Sequence, residues 1–358
     1  MPEPHPRRKP AFGPQPSDSG LARRDFLSRS VAGIAAAGGL AAAAARAAAE
    51  PSEGAAAVGP SPARPVVRID EHRVAVQATG MTGEARILFL ADTHLARDDQ
   101  RGEPYRQYSA RMAGAYRQTS HWQSRQATDP EACFRETLAA ARAWPADLVV
   151  LAGDIVSFPS LAAVEWATER LLESGLPFLY VAGNHDWHYE GLEGSSSSLR
   201  AEWSRRHLAP LYQGADPLMA FRDVQGLRVL AIDNSTYEAT AEQLAFLQLH
   251  IAAGKPLLLA CHIPLYVPGR PVGFGCGHPE WNAEADRHHR LERRPRWPTG
   301  GHTEVTRQFH REVFAAPRMA LVCAGHIHQA SVDVFRGLTQ VVAPPNLAGG
   351  YLQVSVCG

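Results

Sequence analysis

The sequence predicts an α/β protein in which buried strands alternate with helices. Six short apolar runs lack the polar alternation of a half-exposed strand, as expected of strands covered on both faces. These runs are residues 87–90, 148–151, 178–181, 229–232, 257–260 and 320–323. Segments with helix-capping signals separate several of the runs, so helices would cover the strands.

Three helices are predicted from their ends and their patterns. The first begins after Asp129 as N-cap, with Pro130 at the first helical position. A second spans about residues 161–173. A third starts with a capping box from Thr240 to Gln243 and stops near Gly254.

The composition excludes several classes of protein. The 358 residues carry 36 basic and 36 acidic side chains, so no strongly basic face and no nucleic-acid partner are expected. A hydrophobic content of 45% with 30 glycines and 27 prolines indicates a globular chain with many loops. Collagen, a coiled coil and a fully disordered chain are therefore excluded.

Residues 1–49 resemble a twin-arginine (Tat) export signal. The pair Arg23 and Arg24 precedes a run at 31–45 that contains only Val, Ala, Gly, Ile and Leu, and small residues at 47–49 offer a cleavage site. This run of 15 residues is shorter than the about 20 that cross a bilayer, so no permanent membrane span is expected. The resemblance implies export by the Tat machinery and a periplasmic or secreted protein. A disordered Ala-rich tail and an uncleaved membrane anchor are the alternatives.

A linker and one folded domain would follow this leader. Residues 50–64 are rich in Pro, Ala, Gly and Ser and predict a flexible linker, which leaves 65–358 as the domain. The five cysteines are odd in number and form no C-x-x-C pair. Because a Tat substrate folds before export, we expect buried free thiols, and Cys261 and Cys323 indeed lie beside or within apolar runs.

Polar side chains follow five of the six apolar runs. The carboxyl ends of strands in open α/β sheets gather ligands, so these side chains are expected to converge. They are Asp92, His94, Asp154, Asn184, His185, His262, His326 and His328. Carboxylate, amide and imidazole without thiolate suit divalent Mn, Fe or Zn. The seven of these other than His185 exceed the need of one ion with open positions, whereas two ions that share a bridging carboxylate would use them all.

These motifs, taken in order, resemble the calcineurin-like metallophosphoesterases over residues 85–330. The motifs are Asp-x-His, Gly-Asp, Gly-Asn-His-Asp, a lone His after a strand, and Gly-His-x-His. The resemblance implies a four-layer α/β/β/α sandwich of two mixed β-sheets flanked by helices. It also implies a hydrolase of a phosphomonoester or phosphodiester that uses two divalent metal ions. The substrate would be a small-molecule or headgroup phosphoester.

The resemblance also implies a role for each residue. The first metal would be held by Asp92, His94, Asp154 and His328. The second would be held by Asp154 as bridge, together with Asn184, His262 and His326. A hydroxide bridging the metals would attack phosphorus, and the catalytic residue His185 would protonate the leaving oxygen as general acid.

Ser157 separates the chain from two branches of this superfamily. Purple acid phosphatases have Tyr at this offset and the protein serine/threonine phosphatases have Asp, so Ser157 disfavours both and leaves the group that orients His185 open. Two other functions remain as alternatives. One is a non-catalytic metal- or ligand-binding module on the same fold, and the other is a hydrolase of a non-phosphate ester.

Several further residues near the motifs are open to interpretation. Asp186 is expected to form structural hydrogen bonds, and Asp233 and Asn234 are expected to be loop residues. Two long loop regions, 97–127 and 266–303, would carry substrate specificity, and the second could form a lid because it begins beside His262. The adjacent His288 and His289 in this loop would be surface residues or, alternatively, a third metal site.

Overall fold

A computed structural model describes residues 64–270, 282–284, 286, 289 and 296–358. The predicted leader at 1–49 lies outside the described residues, and so does the predicted linker except for its last residue. Much of the predicted lid and Cys276 lie outside them as well.

The described residues form fourteen strands and seven α-helices. The strands are β1 (Val66–Asp70), β2 (Arg73–Gln77), β3 (Ala85–Leu90), β4 (Thr119–Ser120), β5 (Ala127–Thr128), β6 (Leu148–Ala152), β7 (Phe178–Val181), β8 (Met219–Val224), β9 (Leu227–Ile232), β10 (Leu257–Ala260), β11 (Met319–Ala324), β12 (Ser331–Phe335), β13 (Leu338–Val342) and β14 (Leu352–Cys357). The helices are α1 (Arg106–Ala115), α2 (Pro130–Ala143), α3 (Leu161–Ser174), α4 (Ser196–Arg206), α5 (Ala209–Tyr212), α6 (Ala241–Ala252) and α7 (Glu304–Ala315).

Two six-stranded mixed sheets form the centre of the fold. The first has the order β1-β2-β14-β3-β6-β7, and β3, β6 and β7 are parallel neighbours. The second has the order β12-β13-β11-β10-β9-β8, and its four inner strands are parallel. The parallel strands β3, β6, β7, β10 and β11 are those that precede the predicted site residues.

Each sheet is apolar on both faces, which produces the layers. Alternate residues of a strand point to opposite faces, so Ile87 and Phe89 of β3 pack between the sheets against Val229 and Leu258. The intervening Leu88 and Leu90 of β3 pack outward, in a cluster with residues of α2, α3 and α4.

The outer face of the second sheet is covered in the same way by two helices. Leu230 and Leu259 pack against Leu247 of α6 and Phe309 of α7. The predicted four-layer α/β/β/α sandwich is therefore confirmed.

The predicted elements are confirmed with small changes of boundary. All six apolar runs are strands, namely β3, β6, β7, β9, β10 and β11. The Asp129 side chain caps α2 by accepting from the Ala132 N–H, and Thr240 and Gln243 form the capping box of α6. Helix α3 ends at Gly175, whose left-handed φ of 69° suits a residue without a side chain.

The sequence analysis overlooked most of the half-exposed elements. Strands β1, β2, β12 and β14 alternate between covered and exposed residues, so they contain no continuous apolar run. The interpretation of 97–127 as a loop is also wrong in part. A short 3₁₀ helix at Gln100–Tyr105 runs directly into α1, and β4 follows.

Four of the five cysteines lie in the described part of the chain. Cys133, Cys261 and Cys323 are buried free thiols as expected, whereas Cys357 is exposed, which corrects the expectation for that residue. Within the described part of the chain, none of the helices combines the length and the apolar character that a membrane crossing requires.

Candidate metal centre

The predicted site residues meet at the carboxyl ends of five strands from both sheets. Within the described residues, three overlapping groups have possible ligand atoms that all lie within 4.8 Å of one another. The groups are Asp92, His94 and His328, then His94, Asp154 and His185, and finally Asp154, His262 and His326. His94 belongs to the first and second groups and Asp154 to the second and third, so these two residues connect the three groups.

The first group surrounds a space beside Asp92. The Nε2 atoms of His94 and His328 lie 2.9 Å apart, and His328 Nε2 lies 3.7 Å from Asp92 Oδ1. His94 Nε2 is also 3.8 Å from Asp154 Oδ2, which links this group to the second one. Donor atoms of three strand ends thus face one another.

The third group also contains Asp154. His262 Nε2 is 3.3 Å from Asp154 Oδ2 and 3.2 Å from Asn184 Oδ1. His262 Nδ1 lies 2.8 Å from the Ala152 carbonyl oxygen, which can only accept, so Nδ1 carries the proton. A hydrogen bond of this kind fixes the ring and leaves Nε2 for a metal ion.

The chain reaches these positions through strained backbone. Five residues have left-handed φ values between 52° and 74°, namely Asp92, His94, Asp154, His326 and His328. Such conformations cost about 1–3 kcal/mol each for a residue with a side chain and persist where the surroundings determine them. They occur here at five of the seven predicted ligands.

The glycines of the motifs permit close approach between the strand-end loops. A Cβ atom on Gly153 would lie 2.5 Å from the Gly183 nitrogen, and one on Gly183 would lie 2.3 Å from the Asp154 nitrogen. A Cβ on Gly325 would lie 2.4 Å from the Ala91 Cβ. The loops after β6 and β7 therefore touch backbone to backbone, which larger residues would prevent.

Asp186 fixes the same two loops through its buried carboxylate. It accepts the N–H groups of Gly183, Asp154 and Val156 at 2.8, 2.9 and 2.9 Å. Burial, followed by repulsion from Asp154, raises the pKa of Asp186 to about 7. The expected structural role of Asp186 agrees with these contacts.

The electrostatics of the cluster indicate a site for cations. Burial, with Asp154 adding to it, raises the pKa of Asp92 to about 8. Burial opposes ionisation of His262, but Asp154 and Asp92 outweigh it and raise the pKa of His262 to about 10. Burial and the nearby imidazoles hold the pKa of His94 and His326 well below the usual histidine range.

The donor set fits divalent metal ions. Two buried carboxylates and an amide oxygen face imidazole nitrogens at 3.2–3.8 Å. The two carboxylates raise the pKa of His262, so this imidazole binds a proton most strongly. His94 Nδ1 is buried and has no hydrogen-bond partner among the described residues. Oxygen and nitrogen donors of this kind suit Mn, Fe or Zn, but they do not distinguish among them.

His185 lies beside this cluster and is oriented by main-chain groups. Its N–H donates to Asp154 Oδ1 at 2.8 Å, and its Nδ1 donates to the Ser157 carbonyl oxygen at 3.2 Å. The Ser157 hydroxyl donates to the His94 carbonyl oxygen at 2.9 Å. The main-chain carbonyl of Ser157, and not its side chain, therefore orients the His185 ring, and Nε2 takes no part in this hydrogen bond.

Asn234 is linked to the cluster, which corrects its interpretation as a mere loop residue. Its Oδ1 accepts the N–H groups of His262 and Ile263 at 3.2 and 3.0 Å, and its Nδ2 donates to the Ile263 carbonyl at 2.7 Å. The neighbouring Asp233 is buried and lies 3.3 Å from Arg200 Nη1. The sequence did contain a signal for this contact, because Asp233 and Asn234 directly follow β9 at the same sheet edge as His262.

Two tyrosines also contact predicted ligands and were not found from the sequence. The Tyr116 ring centroid lies 4.4 Å from that of His94. The Tyr237 hydroxyl lies 2.9 Å from His326 Nε2. Both residues stand in irregular segments far along the chain from their partners, so no local pattern marks them.

Comparison with known proteins agrees with this geometry. A model of the calcineurin-like phosphoesterase family matches residues 85–330. The chain is 24% identical over 215 residues to a protein of Psychrobacter sp. (strain PRwf-1) named "probable cyclic nucleotide phosphodiesterase". That match covers 60% of this chain and 55% of the relative, so the chain spans about half the length of this curated protein.

The solved structures that the chain matches are more distant in sequence. A dimetal phosphatase from Danio rerio is 13% identical with a TM-score of 0.45, over 74% of this chain and 88% of that one. A purple acid phosphatase from yellow lupin (Lupinus luteus) seeds is 13% identical with a TM-score of 0.44, over 78% of this chain and 47% of that one. The family model alone covers well over half of the sequence and all the motif residues, and the chain therefore belongs to the calcineurin-like phosphoesterase family.

Proposed function

We propose that the chain is an exported, metal-dependent phosphoesterase that hydrolyses a phosphomonoester or a phosphodiester. The observation that carries this proposal is the convergence of eight polar side chains from five strand ends, with Asp154 shared between donor groups. Membership of the calcineurin-like phosphoesterase family supports it.

The cluster would hold two divalent ions on either side of Asp154. Asp92, His94 and His328 would complete the first set, and Asn184, His262 and His326 the second. When bound, two such ions activate water and neutralise charge on the phosphoryl oxygens. The chain itself keeps the donors in place through the Ala152 carbonyl on His262 and the Asp186 carboxylate beneath the loops.

His185 would act on the leaving group. The Ser157 carbonyl holds the proton on Nδ1, so Nε2 is the atom that donates a proton to the departing oxygen when the ring is cationic. The Asp154 carboxylate accepts the His185 N–H and places the ring beside the donor cluster. General acid catalysis of this kind contributes about 10²–10⁴ in rate.

The substrate would be a small-molecule or headgroup phosphoester. A cyclic nucleotide is one diester candidate, because the Psychrobacter relative carries that name.

Export of the chain would follow from Arg23 and Arg24 in the leader. When both arginines are changed to lysine, the expressed chain should stay in the cytoplasmic fraction. Unchanged export of that variant would contradict the Tat assignment.

The enzymatic part of the proposal is tested with two chromogenic esters. We expect the purified chain to hydrolyse p-nitrophenyl phosphate, bis-p-nitrophenyl phosphate or both when Mn²⁺ is supplied, and to lose this activity in a chelator. The His185→Ala variant should bind the metal as before and turn over about 10²–10⁴-fold more slowly. Absence of metal-dependent turnover, or full activity in the variant, would defeat the proposal.

A further inference from the structure

A cavity of about 250 Å³ lies next to the donor cluster, on the side of the second sheet. It is bounded by the segment after β10, by the loop after β9 and by α7. Its apolar walls include Ala239, Ile263, Leu265, Tyr266 and Phe309, together with the ring of Tyr237. We call it the Tyr237 cavity.

The Tyr237 cavity shares its wall with the cluster. The ring of Tyr237 lines the cavity while its hydroxyl lies 2.9 Å from His326 Nε2. Ile263 lines the cavity and directly follows His262 in the chain. Asn234, another lining residue, bonds to the His262 N–H. The cavity therefore borders groups that would hold the second ion.

Several polar groups around the cavity bond within the protein. Glu238 accepts from His302 Nδ1 at 3.1 Å and from the Thr303 hydroxyl at 2.8 Å, and Thr306 also donates to it. His310 Nε2 donates to the Tyr266 carbonyl oxygen at 2.7 Å. Arg307 and Arg311 line the cavity as well, and Arg311 donates to Glu304. The rest of the surface offered to a ligand is chiefly carbon, much of it aromatic.

We infer that the Tyr237 cavity binds an uncharged aromatic ester group of a phosphodiester while the phosphoryl group occupies the metal centre. This inference rests on the proposed phosphoesterase function. An apolar cavity of about 150 Å³ is enough for benzene, so a ring with its linking atoms fits the larger volume here. Burial of one ring favours an aromatic over a methyl ester by about 10- to 100-fold.

The test uses two diesters that release the same p-nitrophenolate, phenyl p-nitrophenyl phosphate and methyl p-nitrophenyl phosphate. The ratio of their kcat/KM values reports on the second ester group alone. In Ala239→Phe, which fills the cavity, the phenyl ester should lose at least about 10-fold more than the methyl ester. Tyr266→Ala, which removes a wall, should also reduce the ratio.

Leu249→Phe is the matched control, because it adds a ring at an exposed position on α6. This variant should hydrolyse both esters like the parent chain. A phenyl-to-methyl ratio that stays the same in both cavity variants would overturn the inference.

A binding measurement separates this inference from the proposed activity. Saturation-transfer NMR on the metal-free chain should show binding of benzyl alcohol, and Ala239→Phe should reduce the signal while Leu249→Phe should not. Equal signals in all three proteins would count against the cavity even if both esters are hydrolysed. Failure of the metal-loaded chain to hydrolyse either ester would instead contradict the phosphoesterase proposal, and the NMR result would still decide on the cavity.

Discussion

The strand-end loops and the segment 97–127 both border the donor cluster, but they are held in different ways. The loops are buried and locked by main-chain contacts, such as the three N–H groups on Asp186 and the close approach of Gly153 to Gly183. Most of the segment is exposed, and Trp122 joins it to the core through its main-chain N–H and its Nε1, which donate to the Ala348 and Gly349 carbonyls.

This difference separates the chemistry from the recognition of substrate. The loops cannot change without moving a donor atom, because their backbones touch. The segment can change much of its surface at little cost, yet it brings Tyr116 to within 4.4 Å of the His94 ring, measured between centroids. Binding residues are commonly found on such loops, which a rigid scaffold positions. Four substitutions test whether the two regions differ in this way.

The largest effect is expected from Asp154→Asn. This change removes a charge from the carboxylate that both donor groups share, so metal-dependent kcat/KM should fall by more than about 10³-fold. Elemental analysis of the purified variant should find fewer bound metal ions than in the parent chain. A variant that keeps both its metal content and its rate would show that Asp154 does not lie between two ions.

Gly183→Ala tests the backbone contact between the loops. Its Cβ would lie 2.2 Å from Asp154 Oδ1 and 2.3 Å from the Asp154 nitrogen, so we expect the free energy of unfolding to fall by about 3 kcal/mol. Gly175→Ala is the control, because this glycine has nothing within 4 Å of its would-be Cβ, so that only its positive φ, which Gly183 does not share, opposes a side chain. The control should lose only about 1 kcal/mol in urea titrations. Equal losses would contradict the packing explanation.

Asn234→Ala should weaken the second metal position without abolishing it. The variant loses the acceptor for the His262 and Ile263 N–H groups, so His262 is less firmly placed. Loss of such a supporting contact lowers metal affinity by about 10- to 100-fold. Calorimetric titration of Zn²⁺ into the metal-free protein measures this effect, and Asn234→Asp, which keeps the acceptor oxygen, should lie between the parent and the alanine variant. Unchanged affinity in the alanine variant would leave Asn234 without a role at the site.

Arg101→Ala should have the smallest effect. Arg101 forms ion pairs with Asp99 and Glu165 on the exposed surface of the 97–127 segment, where solvent screens the interaction. We expect the same kcat/KM as the parent and almost the same urea midpoint. A marked loss of activity would show that the segment controls the centre more tightly than its contacts indicate.

The sequence was sufficient to predict the central strands and the identity of the clustered residues. Strand β6, for example, is buried on both faces, and Asp154 follows two residues after its end. A short stretch of sequence therefore predicts both the strand and the site residue. The inner strand β14 was missed because only every second residue is buried. The contacts of Tyr237 and Asn234 were missed because they join residues that are 28 to 89 positions apart. Contacts of this kind depend on how the loops pack, and no local pattern encodes that.

The central claim is that Asp154 lies between two metal ions held by the ends of five strands. Anomalous diffraction from crystals of the Mn²⁺-loaded chain tests it most directly. We predict two peaks, one beside Asp92, His94 and His328 and the other beside Asn184, His262 and His326, with Asp154 in contact with both. A single peak, or peaks that do not contact Asp154, would contradict the claim.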